Sequence, residues 1–389
     1  TVNGELNWTN GTFDGGSIVI QSSGNMNIYN PGTKQLKCGL VNMGTVHWND
    51  GTILCTSVIL NNNAFYIETA GTLLLDDFST IGTQSFQNTG TVTKNGTGTF
   101  VTSVESFLNT GTVLCNAGVF RNESVFKNGG TLNLNGGLFA NSITFQHNVN
   151  SSITGNGVFT SEGLQQFNTD QTLPSGITMN QTTGSMQFLP DKTLTIEGVF
   201  NWFNGPIDLN GNISINQTGQ FNLTGSATKT FGITGTSRPF VLTNHGSINW
   251  QDGIINWSNF SSGIILNNHG QFLISGNNND AGTNPVQFNN TGTFTKTSTG
   301  TTALLNLQPF TNDGTVQCNN GLCILDATVN NNGILTLSGG DLQFNGQFNQ
   351  NNGGTFGGTG TLFNNGGTLT IHQNQQWPSG FRFQQQGEV

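Results

Sequence analysis

The chain reads as an all-β protein, a parallel β-solenoid. Three observations predict it: a tandem unit of roughly 20 residues, short segments alternating with period two, and turns made of Gly and Asn. All three meet between Asn109 and Phe145, NTGTVLCNAGVFRNESVFKNGGTLNLNGGLFANSITF. Asn-x-Gly-Thr opens an apolar alternation there, Asn-x-Gly recurs before an apolar-aromatic pair, and a polar corner leads to a stretch with the next Phe. A unit this small cannot bury its own apolar face, so neighbouring units must stack.

Composition agrees with this and excludes several alternatives. Hydrophobic residues make up 33% and charged residues only 7%, both below the roughly 45–50% and 25% of an ordinary soluble domain. Low charge and low apolarity invite a disordered reading, but 29 Phe with only 8 Pro and strict local alternation oppose it. No window repeats apolar residues at helical spacing, whereas Thr91-Val92-Thr93 and Thr131-Leu132-Asn133-Leu134 alternate as strands do. A net charge of −9 with no basic cluster argues against nucleic acid, whose binding needs phosphates neutralised by Lys and Arg. No apolar run approaches the roughly 18 residues of a membrane span. A start at Thr1 without a signal peptide reads as a processed or trimmed form.

Repeats occur at two levels. Gly90, Gly111 and Gly130 lie 21 and 19 residues apart, and Gly270, Gly292, Gly314, Gly333 and Gly354 are spaced 22, 22, 19 and 21. Above this, Asn42-Met43-Gly44-Thr45-Val46-His47-Trp48-Asn49-Asp50-Gly51 matches Asn244-His245-Gly246-Ser247-Ile248-Asn249-Trp250-Gln251-Asp252-Gly253 at an offset of 202. Asn88–Lys94 matches Asn290–Lys296 at the same offset, Pro174-Ser175-Gly176 matches Pro378-Ser379-Gly380 at 204, and Leu6-Asn7-Trp8 matches Phe200-Asn201-Trp202 at 194. The sequence therefore predicts two diverged blocks, 1–194 and 195–389, in one continuous rod.

Stacked at the ~4.8 Å strand spacing, about 18 or 19 coils would reach roughly 90 Å. Gly and Asn at the corners tolerate left-handed backbone. Asn88, Asn109 and Asn128 recur at successive corners and predict an amide ladder. Phe100, Phe107, Phe120, Phe126 and Phe139 predict an aromatic interior. Coil lengths of 19 to 22 are looser than a strict hexapeptide repeat, which favours a right-handed helix. A β-propeller or β-sandwich array is the runner-up, although it needs longer strands and hairpin turns.

The Asn-x-Gly-Thr coils and Gly-Gly turns resemble the secreted β-solenoids, namely adhesin and autotransporter-passenger rods and, more distantly, pectin-lyase-like β-helices. That resemblance implies an extracellular rod used for adhesion, structure or polysaccharide binding. The polysaccharide-cleaving members work with clustered carboxylates. Here Asn168-Thr169-Asp170 and Asp76-Asp77 echo two polygalacturonase pieces in the wrong order, and neither the Gly-His-Gly nor the Arg-Ile-Lys piece follows. Acid and base must flank one bond within several ångströms, so catalysis is not expected. Asp50 and Asp252 each precede Gly in a turn, which accounts for them.

The five His (His47, His147, His245, His269 and His372) lack ligand spacing, and neither a metal nor another cofactor is expected. Thr-x-Thr segments at Thr91, Thr97 and Thr293 hint at a flat array, but the place of Thr93 becomes Leu114 and then Asn133, so Thr reads as a strand former. Asn-x-Ser/Thr sequons begin at Asn7, Asn10, Asn95, Asn122, Asn150, Asn180, Asn212, Asn216, Asn222, Asn256, Asn259 and Asn289. They are candidate N-glycosylation sites, at a density that chance would also give. Cys38 with Cys55, about one coil apart, and Cys318 with Cys323, across an Asn-Asn-Gly turn, are candidate disulfides; buried free thiols are the competing reading. Cys115 is the odd one out.

The functional expectation follows from architecture. Val389 is equivalent to Ser185 and Thr1 to Thr195, so the second block ends nearly in phase with the start of the first. This predicts a structural, non-catalytic, secreted rod or fibre subunit, self-associating head to tail into a filament. The alternative is a carbohydrate-binding adhesin rod using Trp48, Trp250 or Trp257 against a surface polysaccharide. A polysaccharide lyase or hydrolase ranks third.

Overall fold

Asn-x-Gly corners separate segments of four or five alternating residues, and each segment is too short to do more than cross one side of a coil. The computed structural model describes residues 1–75, 84–208, 210–232, 239–258, 263–277, 279–282 and 284–386. Asp76, Asp77, Asn259 and Val389 lie outside the described residues. All regular structure among the described residues is strand. The chain is a parallel β-solenoid of about 17 coils spaced roughly 21 residues apart. That is slightly fewer coils than expected, because the spacing is longer than the unit taken from the sequence. It divides into two compact units, Thr1–Gly184 and Ser185–Val389.

In the first unit a typical coil has three strands, and each pairs in parallel with its counterpart one coil on. Ser106–Asn109 pairs with Val125–Asn128, which pairs with Thr144–His147. Thr112–Cys115 pairs with Thr131–Leu134 and then Ser152–Gly155. Val119–Asn122 pairs with Leu138–Asn141 and then Val158–Ser161. Because the register never slips along these columns, like residues stack on like. Phe107, Phe126 and Phe145 are parallel at 4.8 and 5.0 Å, and Phe120, Phe139 and Phe159 at 5.3 and 5.6 Å. The two stacks meet edge to face, Phe126 on Phe139 at 5.1 Å. Rings in these geometries contribute about 0.5–1.5 kcal/mol per pair beyond their buried area. In the second unit Phe288 and Phe310 stack at 4.9 Å, with Phe294 edge-on to both. The expected aromatic interior is present.

The corner glycines have a reason other than the one expected. Gly111, Gly130, Gly292 and Gly314 do not adopt positive φ. A Cβ on Gly111 would instead stand 2.1 Å from the Gly90 carbonyl oxygen, and one on Gly314 would stand 2.2 Å from that of Gly292. Successive corners touch backbone to backbone, so no side chain fits between them.

Candidate functional site

The most ordered polar constellation in either unit is internal. Alternation turns every second residue inward, so the Asn closing each strand before the Gly corner points into the coil. In the first unit Asn42, Asn61, Asn88, Asn109 and Asn128 form a column. Each Nδ2 donates to the next Oδ1 at 2.7 Å. The second unit repeats it from Asn244 through Asn268, Asn290, Asn312 and Asn331 to Gln350, at 2.6 to 2.8 Å. The second amide hydrogen reaches the following strand: Asn109 donates to Thr131 O at 3.3 Å, and Asn290 to Thr315 O at 3.1 Å. Where both hydrogens are used, as at Asn88, Asn109, Asn268, Asn290 and Asn312, the amide ties its coil to two points of the next. The expected ladder at Asn88, Asn109 and Asn128 exists, and it is buried.

His147 takes the next place after Asn128 in the first column. It is buried, stacks on Phe167 at 4.4 Å, and sets Nε2 2.9 Å from Gln165 Oε1. Burial lowers its pKa from 6.5 to about 4, against the opposing influence of the Gln165 and Gln171 amides. Between those values the unfolded chain carries the proton and the folded chain does not, so stability falls as pH drops through that window. The loss levels off below about pH 4 at roughly 3 kcal/mol. His147→Asn should continue the column and flatten this slope in denaturation midpoints measured from neutral pH to about 4. Equal slopes in both proteins would show that another group governs it.

Four lysines are also buried, and nothing in the sequence reading anticipated them: Lys34, Lys94, Lys229 and Lys296. Their ammonium groups close corners by donating to backbone carbonyls. Lys34 Nζ reaches Asn30 O at 2.8 Å and Gly32 O at 3.2 Å; Lys229 Nζ reaches Gly225 O at 2.7 Å and Ala227 O at 3.1 Å. Lys94 donates to Thr69 O and Gly96 O. Lys296 donates to Ser298, Gly300 and Asn320 O at 2.6, 2.8 and 2.9 Å. Burial lowers the pKa of all four. A readable signal existed: Lys94 and Lys296 share the inward face with Val92 and Phe294 and recur in both blocks.

The tryptophans expected to meet sugars do not reach the surface. Trp48, Trp250 and Trp257 are buried, because each shares the inward face of its strand with a core residue (Val46, Ile248 and Ile255). The Trp48 indole donates to Asp50 O at 3.1 Å and that of Trp250 to Gly253 O at 3.1 Å. Asp50 Oδ1 accepts the Gly51 amide and Asp252 Oδ1 the Gly253 amide, so both carboxylates serve turns. Trp377 is the exposed tryptophan, at 42%, stacked on Phe356 at 4.9 Å.

All five cysteines are free and buried, so neither anticipated disulfide is made. Cys55 lies in register with Leu36, two residues from Cys38, a diagonal too long for a bridge. Its thiol donates to Ser57 O at 3.1 Å and is pushed up to about 11 by burial. The Cys318 thiol is raised by its hydrogen bond to Cys323 and by burial, and Cys115 is pushed up to about 12 by burial, against the opposing charge of Lys94. High thiol pKa values make inert thiols.

Among the sequons, Asn7, Asn10 and Asn150 are exposed, whereas Asn95, Asn180, Asn212, Asn216, Asn222, Asn256 and Asn289 are half-buried. Asn122 is fully buried and donates to Asn141 Oδ1 and Ser124 O, so the folded coil leaves no room for a glycan there. Asn222 and Asn289 belong to outward amide ladders with Asn201 and Asn267. Thr93, Leu114 and Asn133 are register neighbours as read, so no flat Thr array forms at that place. His47 pairs with Glu68 at 3.0 Å, and His245 stacks on His269 at 4.8 Å. Among the described residues no three of His, Cys, Asp and Glu gather to hold a metal, and no helix is long and apolar enough to cross a membrane. No protein-family profile, curated protein or solved structure matches this chain.

Proposed function

We propose that the protein is a structural, non-catalytic subunit of an extracellular fibre that assembles head to tail with copies of itself. The observation that carries this reading is the stacking itself: parallel strands repeat in register coil on coil, and the inward Asn columns join each coil to the next. A surface built by such stacking is one that a further copy can continue. A heterologous contact that does not close gives an open fibre.

Two further features support a scaffold role. The polar groups with the best geometry, the Asn columns and buried ammonium groups, are consumed in holding coils together. The exposed Asn7, Asn10 and Asn150 would carry glycan on a secreted chain. Electron microscopy of the wild type across a concentration series should show particles lengthening. Isolated particles of constant length at every concentration would sink the proposal.

A further inference from the structure

The residue that follows each Asn of the inward column turns outward at the corner, and in the second unit two consecutive places there are histidines. His245 and His269 are exposed, and their rings stack at 4.8 Å with 16° between their planes. We propose that this pair binds a divalent transition-metal ion of the zinc class through one nitrogen of each imidazole, a function beyond the scaffold role.

The register fixes the pair. Asn244 pairs with Asn268, and Asn268 with Asn290. The backbone amide of His245 donates to Ile215 O at 2.8 Å and that of His269 to Asn244 O at 2.7 Å. Coils lie on both sides of the pair, with Asn216 before His245 along this corner and Thr291 after His269. The tautomer of His269 is fixed as well. The Thr291 hydroxyl donates to Asn268 O at 3.4 Å, as Thr89 and Thr110 donate to Asn61 and Asn88 O at the same corner of the first unit. Its oxygen therefore accepts Nδ1–H of His269, at 2.6 Å. The lone pair is left on Nε2, and a ring whose other nitrogen is held by an acceptor is the form in which imidazole ligates metals. Among the described residues the His245 ring makes no hydrogen bond, so its basic nitrogen competes with no partner. Two nitrogens on one zinc-class ion, each at ~2.0–2.1 Å, stand roughly 3.3 Å apart. The rings must tip toward each other to reach that spacing, and exposed side chains have room to do so. Water supplies the remaining positions of the ion.

The surroundings favour a cation and select its class. The same corner line carries Glu197 two coils before His245 and Asp313 two coils after His269. At ~4.8 Å per coil neither carboxylate reaches the ion, but both attract it. Imidazole suits zinc, copper and nickel, whereas calcium and magnesium take oxygen ligands. The first unit supplies an internal comparison: the places after Asn42 and Asn61 hold Met43 and Asn62. The coil therefore does not need imidazoles at this corner.

Zn²⁺ should be titrated calorimetrically into the wild type, His245→Met and His269→Asn, the variants carrying the first unit's residues at the two places. The wild type should bind one Zn²⁺ per chain with saturation, and each variant should weaken that binding at least tenfold, about 1.4 kcal/mol. His47, which stands 3.0 Å from Glu68, is the comparison, and His47→Asn should bind as the wild type does. A tenfold excess of Ca²⁺ should leave the isotherm unchanged. The proposal is overturned if Zn²⁺ saturates no site on the wild type, if both corner variants bind as the wild type does, or if His47→Asn abolishes binding. Displacement by Ca²⁺ would assign the ion to carboxylates and overturn it too. The titration reads metal uptake and microscopy reads particle length, so either proposal can fail alone.

Discussion

Replacing Asn109 by Ala should destabilise the first unit by about 3–4 kcal/mol. Three hydrogen bonds meet on that side chain: one accepted from Asn88 at 2.7 Å, one given to Asn128 at 2.7 Å, and one given to Thr131 O at 3.3 Å. The site is buried, so the stranded groups cannot turn to water, and each lost bond costs about 1 kcal/mol or more. The comparison is Asn116→Ala. Asn116 also bridges two asparagines, Asn95 at 2.9 Å and Asn135 at 3.2 Å, but on the half-exposed outer face. Water replaces those bonds, and the expected loss is under about 1 kcal/mol. Chemical denaturation of both variants decides the matter. Equal losses would show that the inward column is not what holds the coils in register.

Lys296→Met should cost the second unit about 3 kcal/mol, in spite of removing a buried charge. Two effects oppose each other. Taking an ammonium out of a buried site relieves desolvation, which is what lowers the Lys296 pKa. Against that, Ser298, Gly300 and Asn320 lose a donor at 2.6 to 2.9 Å, and hydrogen bonds to a charged group are worth about 1.5–3 kcal/mol each. Methionine matches the stem of lysine, so packing is largely kept and the carbonyls decide the sign. Denaturation should show a lower midpoint with an unchanged m-value. A variant as stable as the wild type would mean that the carbonyls find water at that corner.

These effects have a shared origin in the register. A parallel column with no slip places identical residues ~4.8 Å apart, close to the spacing of an amide hydrogen-bond chain and of stacked rings. The same geometry makes Gly111 and Gly314 intolerant of a Cβ. On the outer face Arg121 clamps Glu123 of its own coil at 2.8 Å and Glu162, two coils on, at 3.0 Å.

Much of this was legible along the chain because it repeats. The period, the parallel pairing, the Phe stacks and the Asn column all follow from residues recurring at one phase of one unit. Phase also settles the residues whose chemistry suggests the surface. Val46 and Ile248, two places before Trp48 and Trp250, mark their face as inward, and both indoles are buried. A charge is expected outside, yet Lys94 and Lys296 share the phase of Val92 and Phe294 and are buried with them. Cys38 and Cys55 are about one coil apart in sequence, but the register pairs Cys55 with Leu36, and one diagonal step is enough to prevent a bridge.

The sequence by itself determined the class of fold and which residues face inward, since both depend on period and alternation, and these are properties of order along the chain. The tertiary structure alone decided what the inward polar groups do and which asparagines are open to modification. Those depend on which atoms lie opposite one another in adjacent coils. A difference of one or two residues in coil length shifts that alignment while leaving the period unchanged.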